Sequence, residues 1–262
     1  MTPLEISEIA RRQLADYDAR HPGGVFEDPL FHLSVDDAYQ IQREVVGLRM
    51  ARGESIAGYK TGCLSTAVQR QFGLDRPVYG HVFATEVHRS GVVLDPARFD
   101  CLAIEGEFGL RIAEEIPSVA WLRENEREAI GSVFAVIELH HHVFRGPKPS
   151  AQELIANNGL QAGIVLPSAE DRSRDAAELE REPLAVFCNG KLLGEATGQA
   201  IPGGPLASLY RLVEHLAFWQ VTLKPGQVVL TGSPLKLFPA APGDRFAVRC
   251  ARLAEVELSV SK

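Results

Sequence analysis

The spacing of apolar residues changes near residue 58. Ahead of it, Ala38, Ile41, Val45 and Leu48 recur three and four positions apart and draw one stripe on a helix, with Ser34 and Asp37 as an S-x-x-D start signal. The first fifty residues read as helical. From Gly58 onward, short apolar runs alternate with Gly, Pro and Asp, the texture of a strand-rich domain. Strands are expected at Val78 to Val82, Gly91 to Leu94, Ile104 to Ile112 and Val133 to Leu139. Asn189-Gly190 between Leu184–Cys188 and Lys191–Leu193 marks a tight hairpin. A helix opens at Pro205 with the stripe Leu206, Leu209, Val213 and Leu216, and strands close the chain at Gln227 to Leu230, Arg245 to Cys250 and Ala254 to Val260. Residues 168 to 183 read as a charged loop or short exposed helix without chemistry of their own.

Within the expected strands, three acidic residues change the picture. Glu105 and Glu107 stand two apart, so a strand turns both to one face, and Glu138 interrupts the apolar run Val133 to Leu139. A Glu-x-Glu alone is ordinarily the solvated face of a half-buried sheet. A carboxylate inside a doubly buried run, however, needs a partner, and a hard divalent cation with oxygen ligands satisfies several carboxylates at once. The trio Glu105, Glu107 and Glu138 is therefore a candidate Mg²⁺ or Mn²⁺ site.

Length and composition exclude more than they assign. With 262 residues and 45% hydrophobic content the chain buries a full core, as one large domain or one domain with an appendage. A net charge of −7, from 34 acidic against 27 basic residues with no basic stripe, argues against nucleic acid. The charged N-terminus and the lack of a long apolar run predict neither secretion nor a membrane span, hence a cytoplasmic protein. Cys63, Cys101, Cys188 and Cys250 are scattered and read as small core residues.

Other groups could join the acids. Lys60 lies between Gly58 and Gly62, where the backbone can approach a ligand and a lysine can hold a substrate carboxylate or move a proton; a solvated surface lysine is the alternative. Thr231 and Ser233 follow a Val-Val-Leu strand at a sheet exit, placed for ligand contacts or for turn hydrogen bonds. In His140-His141-His142, strand parity puts His140 and His142 on the Glu138 face and His141 opposite; a zinc site is not supported, but one imidazole could serve as a base or as an outer partner of the metal.

Gly58-Tyr-Lys-Thr-Gly62, Ala67 to Gly80, Ile104-Glu-Gly-Glu-Phe108, Ile137-Glu138, Asn189-Gly-Lys191 and Leu223 to Ser233, in this order, resemble the 2-keto-4-pentenoate hydratase and 4-oxalocrotonate decarboxylase group of the fumarylacetoacetate hydrolase superfamily. The resemblance covers nearly the whole chain. It implies an α+β fold, a mixed β-roll or sandwich with an N-terminal helical segment (1–57) packed on a β-rich catalytic domain (58–262), assembled as a homo-oligomer, with a partner pathway enzyme as a further expectation. It implies Mg²⁺ or Mn²⁺ on Glu105, Glu107 and Glu138, Lys60 as the active-site lysine, and Thr231 and Ser233 beside the substrate. The expected reaction is hydration of a small 2-hydroxy-2,4-dienoic or 2-oxo acid from aromatic breakdown. Decarboxylation of a 4-oxalocrotonate-like diacid and acylpyruvate hydrolysis use the same chelate, and a non-catalytic metabolite-binding subunit is the reading from another class. Two departures stand out: His140-His141-His142-Val143 replaces a Val-Asp-Ser-Arg type stretch, and Ala156-Asn157-Asn158-Gly159 replaces Ala-Asp-Asn-Ala. His141 or His142 is expected to take the missing acid's place, with His141 as the catalytic candidate.

Overall fold

The computed structural model describes residues 1–21, 26, 33–143, 149–172 and 175–262. Two helices lead, α1 (Pro3–Ala19) and α2 (Val35–Ala51). The Thr2 hydroxyl accepts from the Glu5 N–H while the Glu5 carboxylate accepts the Thr2 N–H at 2.7 Å, a reciprocal cap with Pro3 in the first turn. Ser34 Oγ accepts the Asp37 N–H at 3.0 Å, so the S-x-x-D signal marks the true start of α2. The helical expectation for residues 22–25 and 27–32, and Ser173 and Arg174 of the charged stretch, lie outside the described residues. Ile6, Ile9 and Ala10 of α1 and Ala38, Tyr39 and Ile41 of α2 join the same core as the sheets. Gln42 fastens α2, its amide donating to the carbonyls of Tyr79 at 2.9 Å and Ile155 at 2.7 Å.

The strands are β1 (Ile56–Gly62), β2 (Val78–Phe83), β3 (Val87–Arg89), β4 (Val92–Leu94), β5 (Ala103–Ile112), β6 (Ile130–His140), β7 (Gln161–Leu166), β8 (Pro183–Cys188), β9 (Lys191–Thr197), β10 (Val228–Leu230), β11 (Phe238–Pro239), β12 (Arg245–Cys250) and β13 (Val256–Val260). One sheet runs β2-β1-β10-β5-β6-β7-β3 with β11 on the side of β5; the other runs β4-β13-β12-β8-β9. The pairs β1–β10, β3–β7 and β4–β13 are parallel and the remainder antiparallel, so both sheets are mixed, as the α+β expectation required. Asn189 and Gly190 take positive φ (53° and 79°) and close the predicted β8–β9 hairpin.

The long central pair β5–β6 has two unlike faces. Ile104, Phe108, Leu110, Ile137 and Leu139 belong to the main core, together with Leu184, Val186 and Val248 of the second sheet. Gly106 sits where the sheets press closest: a Cβ there would stand 2.8 Å from Val186 Cγ2 and 3.1 Å from both Leu184 and Val248. The glycine between the two glutamates is thus a packing requirement, and it lets the flanking acids face away from the second sheet. On their face Phe134, Val136, Ile164, Val228 and Leu230 form a second, smaller core.

Sequence patterning missed β3, β7 and β11 and left Ile56–Gly62 unassigned, because Gly and Thr dilute β1 and each of the others is a short run beside turn residues. The charged stretch is also more than a solvated loop. Glu170 pairs with Arg111 and Ser132, and Glu182, 2% exposed, accepts from the Arg252 backbone and guanidinium at 2.7 Å each.

One histidine makes stability depend on pH. His215, on the helix Gly204–Phe218, stacks on Tyr79 at 4.1 Å and against Tyr39 at 4.8 Å, and burial holds its imidazole down at about 4. Below the ordinary histidine pKa the unfolded chain takes up a proton that the native one refuses, so stability falls as pH drops. Between pH 6.5 and 4.5 the wild type should lose about 2 kcal/mol more than His215→Gln, measured as a narrowing gap between their melting temperatures. A gap that stays constant over this interval would mean that the ring titrates normally.

Candidate metal centre and active site

Register builds the site. In the β5–β6 ladder Glu105 lies directly opposite Glu138, Glu107 opposite Val136, and Glu138 is flanked on its other side by Ile164 of β7. Lys60 enters from β1, two strands from β5, on the same face. Glu138 is fully buried, Glu107 is 1% exposed and Lys60 4%. Lys60 Nζ lies 3.3 Å from Glu138 Oε1, while His140 Nε2 stands 3.4 Å from Glu138 Oε2 and 3.2 Å from Glu105 Oε2. One carboxylate therefore faces a different nitrogen with each of its oxygens.

Charges in this space are strongly interdependent. Burial alone would raise the Glu138 carboxyl, but Lys60 and His140 reverse this and hold it charged, well below the carboxylate range. Burial would lower the Lys60 ammonium, yet Glu138, then Glu105 and Glu107, keep it above its ordinary value. Glu107 goes the other way: desolvation, with Glu138 and Glu105 nearby, pushes it far up, against the opposing pull of Lys60 and the Gly232 N–H that donates to its Oε2 at 2.8 Å. Burial, together with the unequal share of neighbouring positive charge, thus pushes the two buried glutamates in opposite directions.

The fit to a cation can be judged from atoms left without partners. Both carboxylate oxygens of Glu138 and both ring nitrogens of His140 are buried without a hydrogen bond, as are both amide atoms of Gln161, the cross-strand neighbour of His140. Buried polar atoms are rarely orphaned, and several on one face mark a place built for a polar ligand. Ligand atoms of Glu105, Glu138 and His140 lie within 4.8 Å of one another, and a set of two carboxylates and an imidazole suits a divalent ion.

This cluster forms the polar end of a cavity of roughly 470 Å³. Lys60, Glu105, His140 and Ser233 line one end, and Leu64, Val68, Phe72, Leu154, Leu160 and Leu235 supply apolar wall. Gly159, at φ 63°, lies over the lysine, where an added Cβ would meet Lys60 Cε at 3.2 Å. Asn158 next to it is strapped to β2 by hydrogen bonds to the His81 N–H (2.7 Å) and carbonyl (2.8 Å), while Asn157, in place of the usual acid, accepts from Gln13.

The expected residues separate into two groups. Glu105, Glu107, Glu138 and Lys60 come together, and Ser233 reaches the cavity with its Oγ 3.2 Å from the Gly106 carbonyl. Thr231 does not: fully buried, it donates to the Phe108 carbonyl at 2.9 Å and anchors the strand end. His141 is not brought to the acids either. Its Nδ1 accepts the Asp100 N–H at 2.8 Å, its Nε2 stands 3.3 Å from the Tyr17 carbonyl, and it lines a separate cavity of about 290 Å³ with Tyr17, Arg20 and Arg98. Strand parity is the reason, since β6 runs through His140 and turns consecutive side chains to opposite faces. The same parity, counted from Glu138, identifies His140 as the imidazole at the site.

Among the described residues no helix is long and apolar enough to cross a membrane. No family model matches the chain. Curated relatives include 2-hydroxyhexa-2,4-dienoate hydratase of Comamonas testosteroni, 27% identical and aligned over 90% of this chain and 86% of the relative. Another, 2-oxo-hept-4-ene-1,7-dioate hydratase of Escherichia coli, is 25% identical over 97% of this chain and 93% of its own. In fold, the 4-oxalocrotonate decarboxylase from Pseudomonas putida G7, complexed with magnesium and adipate, superposes with a TM-score of 0.91 over 99% of this chain and 98% of that one, at 23% identity. Taken with the order of motifs and the two mixed sheets, these likenesses make the chain similar, over most of its length, to 2-keto-4-pentenoate hydratases and 4-oxalocrotonate decarboxylases.

Proposed function

We propose that the chain is a divalent-cation-dependent hydratase that adds water to a 2-hydroxy-2,4-dienoate carrying a short apolar tail. The observation that carries this reading is a buried acid–lysine–imidazole cluster opening into an apolar-walled cavity. Hydratase relatives aligned over most of the chain support it, as does the magnesium in the decarboxylase of the same fold.

Glu105 and Glu138, with Glu107 beside them, would hold the cation, which when bound supplies Lewis acidity to the 1-carboxylate and 2-oxygen of the substrate. Lys60, kept charged by three glutamates, is suited to hold the substrate carboxylate and poorly suited to accept a proton. Ser233 offers a hydroxyl at the same end, already oriented by the Gly106 carbonyl and the Leu235 N–H. Leu64, Val68, Phe72 and Leu235 would enclose the distal carbons and restrict water to the one that reacts. In balanced form, the enol O–H proton leaves as C5 gains one; water then bonds through oxygen to C4 and its proton ends on C3. The apolar wall favours a monoacid substrate over the diacid that decarboxylation needs, because a second carboxylate would be desolvated there. The homo-oligomer, a partner pathway enzyme and a cytoplasmic location belong to this proposal as implications of the resemblance.

The test is turnover of 2-hydroxypenta-2,4-dienoate, followed by loss of its ultraviolet absorbance. Chelator-treated enzyme should be inactive and regain activity when Mg²⁺ or Mn²⁺ is returned. Full turnover after exhaustive chelation would exclude the scheme.

A further inference from the structure

Three acidic residues from the two central strands converge, but the atoms that cluster most tightly are not three carboxylates. Glu107 is turned aside to the Gly232 N–H at 2.8 Å. In its stead the imidazole of His140, 4% exposed, brings Nε2 to 3.2 Å from Glu105 and 3.4 Å from Glu138. Ligand atoms of Glu105, Glu138 and His140 thus all stand within 4.8 Å of one another. The position of the ring follows from the backbone. His140 lies two residues beyond Glu138 on the same face of β6, opposite Ala103, which leaves room for it to lean toward Glu105. The pairing with β7 is irregular at Leu139 and His140, and the facing Gln161 makes no hydrogen bond to the ring. Both ring nitrogens lack a hydrogen-bond partner, a state that buried imidazoles seldom adopt without a ligand.

Building on the metal-dependent reading above, we infer that His140 is a nitrogen ligand of the cation, so that the inner donors are Glu105, Glu138 and His140 and the site selects a nitrogen-tolerant first-row ion such as Mn²⁺ over Mg²⁺. Magnesium favours all-oxygen octahedra and keeps its waters, whereas an imidazole adds affinity for manganese and the later divalent metals.

The experiment uses full-length protein stripped of metal, titrated calorimetrically with Mn²⁺ and Mg²⁺ separately, with the Mn²⁺ form also read by pulsed electron paramagnetic resonance for ¹⁴N coupling. Wild type should show ¹⁴N modulation, and His140→Gln should abolish it. That variant should also lower the Mn²⁺-over-Mg²⁺ affinity ratio by at least about tenfold, the scale on which even outer partners of ligands shift affinity. His142→Gln should keep both the signal and the ratio, which preserves the test if His140→Gln fails to fold. Tight Mn²⁺ binding with no ¹⁴N modulation, or modulation lost only in His142→Gln, would overturn the assignment and leave the hydratase reading intact. Failure of folded wild type to take up either ion would overturn both.

Discussion

Glu138→Gln should cut kcat/KM on 2-hydroxypenta-2,4-dienoate by about 10³-fold or more, the scale of losing one preorganised electrostatic group at a reacting centre. The residue is the hub of the site: it is fully buried, faces Lys60 with one oxygen and His140 with the other, and stands opposite Glu105 in the ladder. Glutamine keeps the shape and removes the charge. Lys60 would then lose its ion-pair partner and an incoming dication one of its carboxylates, so uptake of Mn²⁺ should weaken alongside turnover. The paired measurement is steady-state kinetics at saturating metal and a metal titration on the same preparation. Near wild-type turnover with normal metal affinity would remove Glu138 from the mechanism.

Lys60→Met should separate two duties of one side chain. In metal-free protein the lysine offsets Glu138, Glu105 and Glu107, and removing one partner of a buried ion pair costs about 3–5 kcal/mol because the other charge is left uncompensated. The melting temperature of the metal-free variant should therefore fall steeply. A divalent cation replaces the missing positive charge, so Mn²⁺ at about 100 times its Kd should return roughly 2.7 kcal/mol, most of the loss. Turnover should not return with it, since no ammonium remains to hold the substrate carboxylate. Differential scanning fluorimetry with and without Mn²⁺, beside the kinetic assay, reads both duties. An unchanged melting temperature in the metal-free variant would show that the lysine does not balance the acids.

Much of this site could be read from the chain because parity in a strand is strict. Glu105 and Glu107 had to share a face, and Glu138 within Val133–Leu139 had to be buried; both hold. Register between strands was not readable from one sequence. His141 is kept from the acids for a reason that was readable: the parity argument that set it opposite Glu138 was outweighed by a resemblance in which an acid stands at that position. Thr231 illustrates another limit, since a hydroxyl at a sheet exit looks the same in sequence whether it greets a ligand or, as here, a carbonyl of the neighbouring strand. The helix start at Ser34 was legible because a cap is a local chemical device, whereas β7 was not, because six residues of mixed character become a strand only when β6 and β3 lie beside them.

Three consecutive histidines begin at the last residue of β6, where its pairing with β7 is already irregular. A slip of one position would ordinarily exchange every side chain between the two faces of a strand. Here a slip in one direction would carry His141 into the place that His140 holds. The repeat thus makes this edge of the site forgiving of a one-residue deletion just upstream, while Glu138, two residues earlier, has no such spare and would be displaced by the same event.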